Sequence, residues 1–214
     1  EIIASGGRRA DVIIDLSTIG PDAAREADAR CKAVGITYID APVSGGQAGA
    51  RAGTITVMLA GPRAVVDAHQ DVLHGFAKNP FHVGEEPGQG QAVKILNNFL
   101  SGTAMAASTE AVLYGLSQGI DMKTILDVVN VSTGQNTATA DKFPKRILTE
   151  TFNTGFATAL LTKDVNLFLD NAREAGTPTK IAQAISEVWN ETNEALPDSD
   201  ITMVYKHLRD GAGE

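Results

Sequence analysis

The sequence predicts an α/β region followed by an all-α region. Three observations carry this. Short β-rich runs alternate with helix-length segments as far as Gly84, helical spacing then continues to the end of the chain with no further strand, and the change falls at Gly84-Glu-Glu-Pro-Gly-Gln-Gly90.

The elements follow in order. Asp11-Val-Ile-Ile-Asp15 reads as a buried strand that ends in Leu16-Ser-Thr18. Pro21 sits in the first turn of a helix over 21–34, where its missing N–H costs nothing, and Gly35 stops that helix. Ile36-Thr-Tyr-Ile-Asp40 is the next strand, and Thr54-Ile-Thr-Val-Met-Leu-Ala60 another. A helix over 62–73 and a strand near Phe81-His-Val83 complete a sheet that is at least partly parallel. Beyond it the spacing predicts helices over 89–118, 122–130, 137–148, 158–175, 179–195 and 201–209. The boundary reading is 1–88 for the α/β part and 89–214 for the helical part.

Composition narrows the function classes. With 214 residues, 43% hydrophobic, 21% charged and 5% aromatic, the chain has the apolar mass for a packed core. A net charge of −8, spread along the chain, argues against nucleic-acid binding, which shows a basic face. Cys31 is the single cysteine, and the four histidines lack ligand spacing, so neither a disulfide framework nor a metal site is expected. No apolar stretch is long enough to span a membrane, and a cytoplasmic location is expected. The chain opens on Glu1-Ile-Ile3 rather than methionine, so the expectation is of a natural start further upstream, where any targeting segment would lie.

Four stretches can carry chemistry. In Gly88-Gln-Gly-Gln-Ala-Val-Lys-Ile-Leu-Asn-Asn98, Lys94 and Asn98 are one turn apart and share a helix face, with Gly102 leaving space a further turn on. Flanked by Val93, Ile95, Leu96, Phe99 and Leu100, a buried Lys94 loses hydration and its pKa falls towards neutrality, which suits a general acid or base. The competing reading is that Lys94 snorkels to water and Asn98 is an exposed neighbour. In Asp40-Ala-Pro-Val-Ser-Gly-Gly46, glycines after a strand let N–H groups hold an anion such as a carboxylate, with Ser44 adding a hydroxyl; a plain turn is the alternative. The spacing of Gly45, Gly46, Gly49 and Gly53 is not the dinucleotide fingerprint ahead of a helix. Thr18, in Asp15-Leu-Ser-Thr18, lies at a strand's carboxyl end, where α/β sheets gather ligands, or it belongs to the cap of the next helix. Lys163, in Thr162-Lys-Asp-Val-Asn-Leu167, either reaches a ligand or is a solvated helix charge.

Together these stretches resemble the β-hydroxyacid dehydrogenase family, which includes 3-hydroxyisobutyrate dehydrogenase and tartronate semialdehyde reductase. The resemblance rests on Asp15-Leu-Ser-Thr-Ile-Gly-Pro21, Asp40-Ala-Pro-Val-Ser-Gly-Gly46, Gly88–Asn98 and Gly155-Phe-Ala-Thr-Ala-Leu-Leu-Thr-Lys-Asp164, in that order and over nearly the whole chain. It implies a partial Rossmann-type NAD(P)-binding domain followed by a helical domain like that of 6-phosphogluconate dehydrogenase. It implies Lys94 as catalytic general acid or base, and Asn98 as the residue that binds substrate or orients that lysine. Ser44, Gly45 and Gly46 become the loop that holds the substrate carboxylate. Thr18 and Lys163 become contacts to NAD or NADP near its nicotinamide end, and Phe156 lies in the same stretch of the helical domain.

The implied reaction interconverts a small β-hydroxy acid and its semialdehyde. The cofactor carries the hydride, and a lysine at position 94 matches carbonyl or alcohol substrates rather than the imines of related imine reductases. The family's opening strand, Gly-rich turn and helix have no counterpart here, so a fragment of a longer gene product with weak cofactor affinity and an exposed sheet edge is expected. The Ser132-Thr-Gly-Gln-Asn136 loop is expected to shape the far end of the pocket. A homodimer or homotetramer is expected, because the helical part is small and rich in long apolar helices. The alternative is a non-catalytic module kept for dimerisation or ligand sensing.

Overall fold

The computed structural model of the chain describes residues 10–211. These form two compact units divided after Leu96. The division falls inside a helix, so the first turns of the segment read above as opening the helical part pack with the α/β unit.

In the first unit, β1 (Val12–Asp15), α1 (Pro21–Lys32), β2 (Thr37–Asp40), β3 (Val43–Ser44), α2 (Gly46–Ala52) and β4 (Ile55–Ala60) are followed by α3 (Arg63–Ala68), α4 (Gln70–His74) and β5 (Ala77–Gly84). The sheet is mixed. β1 pairs with β2 in parallel, with Asp15 opposite Asp40, and β4 pairs with β5 in parallel. β2 and β3 both run antiparallel to β4 in one continuous register, Asp40 to Ala60, Val43 to Val57 and Ser44 to Thr56, so they lie along the same edge of β4. The core on this sheet includes Ile39, Val57, Leu59, Val66 and Leu73, all at most 1% exposed.

Several sequence expectations change here for local reasons. The helix over 62–73 is broken at His69. Its Nδ1 lies 2.7 Å from Val65 O, the carbonyl an unbroken helix would give to the His69 amide, and that amide turns to Val66 O instead. The last strand begins at Ala77, earlier than expected, because Lys78-Asn79-Pro80 looks like a turn in sequence. Pro80 is tolerated there because, among the described residues, β5 pairs only with β4. The Ser44-Gly45-Gly46 stretch is not a plain turn: a two-residue strand leads in and a helix leaves. Gly45 (φ 129°) and Gly46 (φ 60°) take backbone angles that disfavour any side chain.

The long helix α5 (Gln89–Ser117) leads into the second unit, with α6 (Met122–Val129), a π-helical segment Ala138–Ile147, α7 (Thr158–Glu174), α8 (Lys180–Ala195), a 3₁₀ turn Ile201–Met203 and α9 (Val204–Gly211). The π-helical widening has a cause: Pro144 inside the segment has no N–H, and Leu148 N reaches back five residues to Phe143 O. Met105, Phe143, Leu161, Val165, Trp189 and Val204, each fully buried, are the heart of this unit. Gly102 departs from the expectation of free space beside Lys94 and Asn98. A Cβ there would meet Trp189 Nε1 at 3.0 Å and Val165 at 3.4 Å, so its small size admits the indole of α8. Among the described residues no helix is long and apolar enough to cross a membrane.

Candidate functional site

In the α/β unit, two aspartates at adjacent strand ends hold the loops that carry the candidate residues. Asp15 Oδ1 accepts from Ser17 N at 2.9 Å and Oδ2 from the Tyr38 hydroxyl at 2.8 Å, fixing the start of the Thr18 loop. Burial opposes ionisation of Asp15, but these bonds outweigh it and hold its carboxyl below the usual range. Burial, and then the Asp15 bond, push the Tyr38 phenol well above its ordinary value. Thr18 itself is half-buried. It is not the helix cap, because the residue that caps α1 is Gly20.

Asp40, at the end of β2, has no exposure. Its Oδ1 accepts from Gly88 N at 3.0 Å and its Oδ2 from Gln91 N at 2.9 Å, so a carboxylate meets the positive end of α5. Burial outweighs these bonds and places its carboxyl above the usual aspartate range. Gly90 explains part of the glycine run: a Cβ there would lie 2.4 Å from Met58 O and 2.7 Å from Asp40 Oδ2, so only glycine lets α5 start against the strands. The same aspartate begins the stretch that leads to Ser44, Gly45 and Gly46. The helix that carries Lys94 is thereby anchored on the residue from which the Ser44-Gly45-Gly46 stretch departs.

Lys94 and Asn98 lie one turn apart on α5, and both are buried, at 9% and 5% exposure. Leu96 and Leu100 on the same helix are 39% and 60% exposed. This inverts the ordinary pattern of an amphipathic helix. The snorkelling reading is overturned for both polar residues, and Leu96 and Leu100, named above as flanking a buried lysine, are the more exposed side chains.

In the helical unit, Asn98 Nδ2 donates to Asp164 Oδ2 at 2.6 Å, and Lys163 Nζ pairs with Asp164 Oδ1 at 2.8 Å. Asp164 is 3% exposed, whereas the Lys163 side chain keeps 44% of its surface. Two sequence-selected residues thus meet on a third. Asp164 was visible only as an acid following a lysine. The Phe99 and Phe168 rings stack beside this cluster at 4.2 Å between centroids, nearly parallel, and lock α5 to α7. Phe156 packs against the core, and its backbone is fixed by Ile201 N and Asp200. Asn136 is spent inside the unit: its Oδ1 accepts from Ala138 N and Thr139 N, and its Nδ2 donates to Ser108 Oγ.

A Rossmann-type α/β unit followed by a helical one is a layout in which the carboxyl ends of the strands can receive a dinucleotide. Two family descriptions match: "NAD-binding of NADP-dependent 3-hydroxyisobutyrate dehydrogenase" over residues 88–208, more than half of the chain, and "NAD binding domain of 6-phosphogluconate dehydrogenase" over 1–84. The chain belongs to the β-hydroxyacid dehydrogenase family. It is 38% identical to the 3-hydroxyisobutyrate dehydrogenase of Pseudomonas aeruginosa, covering 91% of this chain and 69% of that protein. It is 35% identical to the 2-(hydroxymethyl)glutarate dehydrogenase of Eubacterium barkeri, covering 87% of this chain and 62% of the relative. The chain therefore spans about two thirds of the length of these relatives. Among solved structures, a Mycobacterium tuberculosis 3-hydroxyisobutyrate dehydrogenase with L-serine matches with a TM-score of 0.87 and 30% identity, over 94% of this chain and 72% of that one.

Proposed function

We propose that the protein is an NAD- or NADP-dependent oxidoreductase that interconverts a small β-hydroxy acid and its semialdehyde, of the 3-hydroxyisobutyrate or tartronate semialdehyde type. One observation carries the reading: a lysine and an asparagine are buried a turn apart while neighbouring leucines face solvent. Burying a cation costs several kcal/mol unless it is used or paired, roughly in the range given for buried ions, so this helix is arranged around its polar pair. Family membership supplies the substrate class.

The residues fit a nicotinamide dinucleotide. Thr18 follows the carboxyl end of β1, parallel to β2, where open α/β sheets receive nucleotides. Lys163, paired with Asp164, offers a half-exposed cation at the position the family resemblance gives to a cofactor contact. We assign these two residues to hold the cofactor, which supplies or accepts the hydride when bound. Ser44, with Gly45 and Gly46, holds the substrate carboxylate. In reduction, Lys94 as ammonium stabilises the charge that develops on the carbonyl oxygen and then gives up its proton to that oxygen; in oxidation the neutral amine takes the hydroxyl proton. Asn98 holds the substrate oxygen or orients Lys94.

The protein also self-associates in this reading. Leu100 and Tyr114 are 60% and 69% exposed, and Ala107 and Ala111 between them are exposed as well, a solvent-facing apolar stripe along α5. The functional test is reduction of small carboxylated aldehydes by NADH and NADPH in the whole protein. Lys94→Ala should lower kcat by about 10²–10⁴. Unchanged turnover in that variant rejects the role given to Lys94.

A further inference from the structure

Gln91 has no exposure, and its carboxamide is engaged at both ends. Oε1 accepts from Ile19 N at 3.0 Å and from Gly20 N at 3.2 Å, and Nε2 donates to Ser17 O at 2.9 Å. All three bonds go to one four-residue loop. Packing alone does not ask for this, since methionine has nearly the same shape and no amide to bury. The loop cannot satisfy itself either: the Ile19 and Gly20 amides precede α1, and no side chain caps that helix. Thr18 lies between the bonded residues Ser17 and Ile19. At the other end of the bridge, Gln91 is held by its own amide on Asp40, and Lys94 follows it at i+3 on α5.

We propose that Gln91 is a positioning residue that sets the spacing between the Thr18 loop and the Lys94 helix. It acts through them and touches neither substrate nor cofactor. A sub-ångström change in its bridge moves a cofactor contact relative to the proton-transferring amine, and misplacement of that size slows a reaction without unfolding the protein. The proposal rests on the roles given above to Thr18 and Lys94.

The test is a double-mutant cycle in the whole protein, with kcat and KM for aldehyde reduction and thermal midpoints measured in parallel. Gln91→Met should lower kcat by roughly ten- to a hundredfold, on the scale of misplaced groups, with little change in the aldehyde KM. Combined with Thr18→Ala it should cost no more than the worse single change, because both act on one loop. Additive losses, or a lower melting temperature with unaltered kcat, overturn the proposal. Gln91→Glu keeps the acceptors for Ile19 and Gly20 but places a carboxylate against Ser17 O, and is scored by the same cycle if the methionine variant does not fold. Hydrogen exchange on the unsubstituted protein is a further arm: the Ile19 and Gly20 amides should be protected like those of β1, and exchange at the rate of an open loop overturns the bridge. If Lys94→Ala retains full turnover, the functional reading falls and this inference with it. If Lys94→Ala is inactive but the cycle is additive, only the role of Gln91 falls.

Discussion

Substituting Gly90 by alanine tests whether the start of α5 is held against the sheet as closely as the structure shows. The added Cβ would lie 2.4 Å from Met58 O, 2.7 Å from Asp40 Oδ2 and 3.1 Å from Asp40 O. Relaxed C···O contacts sit at about 3.3–3.6 Å, so the helix must retreat by about 1 Å. Neither main obstacle can swing aside: one is a strand carbonyl, and the other is the buried carboxylate that holds Gly88 N and Gln91 N. Overpacking of this kind costs about 1–3 kcal/mol. Alanine returns about 1 kcal/mol through its better helix propensity, so a net loss of roughly 1 kcal/mol is expected from these two terms. At a urea m-value of about 2 kcal/mol/M that is a midpoint lower by about 0.5 M. The functional loss should be larger than the stability loss implies, because a displacement of about 1 Å at the helix that carries Lys94 can lower kcat/KM by about 10². Urea titration and aldehyde-reduction kinetics on the same preparation decide it. A Gly90→Ala protein with the parental midpoint and kcat/KM would show that the contact at Met58 and Asp40 does not constrain the helix.

Three further expectations follow from particular contacts. Gly102→Ala forces Trp189, Val165 and Leu161 apart and should destabilise the helical unit by about 1–3 kcal/mol, read from the fluorescence of the single tryptophan during unfolding. Asp200 is opposed by burial, but bonds from Thr202 and Thr154 win and lower its pKa below the model-peptide value of 3.8. Its contribution is therefore fully present above pH 3.8 and lost as pH falls through its folded pKa; Asp200→Asn should cost about 1.5–3 kcal/mol at neutral pH, and the gap to the parent should close in acid. A gap that widens in acid would contradict the assignment. Replacing Leu100 and Tyr114 by serine should shift sedimentation towards the monomer at micromolar concentration, and a parent that is already monomeric removes the stripe's proposed role.

Much of the layout was legible in the sequence because it depends on local chemistry. The Val12–Asp15 and Ile55–Ala60 strands are short apolar runs, Pro21 marks a helix start, and the helices after residue 88 repeat at the helical period. The misreadings arose where a side chain competes with the backbone or lacks a donor. His69 takes its own helix's carbonyl, Pro144 widens a turn, and Pro80 hides a strand that needs no donor on its outer side. Thr18, Ser44, Lys94, Asn98 and Lys163 could be selected from their motifs. Their surroundings could not, because Gln91, Asp40 and Asp164 reach partners across gaps of up to 74 positions.

By itself the order of residues determined the two-part architecture, the polar pair one turn apart on a long helix, and the family to which the motifs point. The first two follow from periodicity and spacing along a single chain, and the family from the resemblance its motifs carry. Only the tertiary structure decided that Lys94 and Asn98 are buried while Leu96 and Leu100 are not. Only folding, too, turned a glutamine and two aspartates into the fixtures of the loops and helices around them. The physical reason is the same for both: burial and hydrogen-bond satisfaction are properties of groups brought together from distant positions, and no local window of sequence contains both partners.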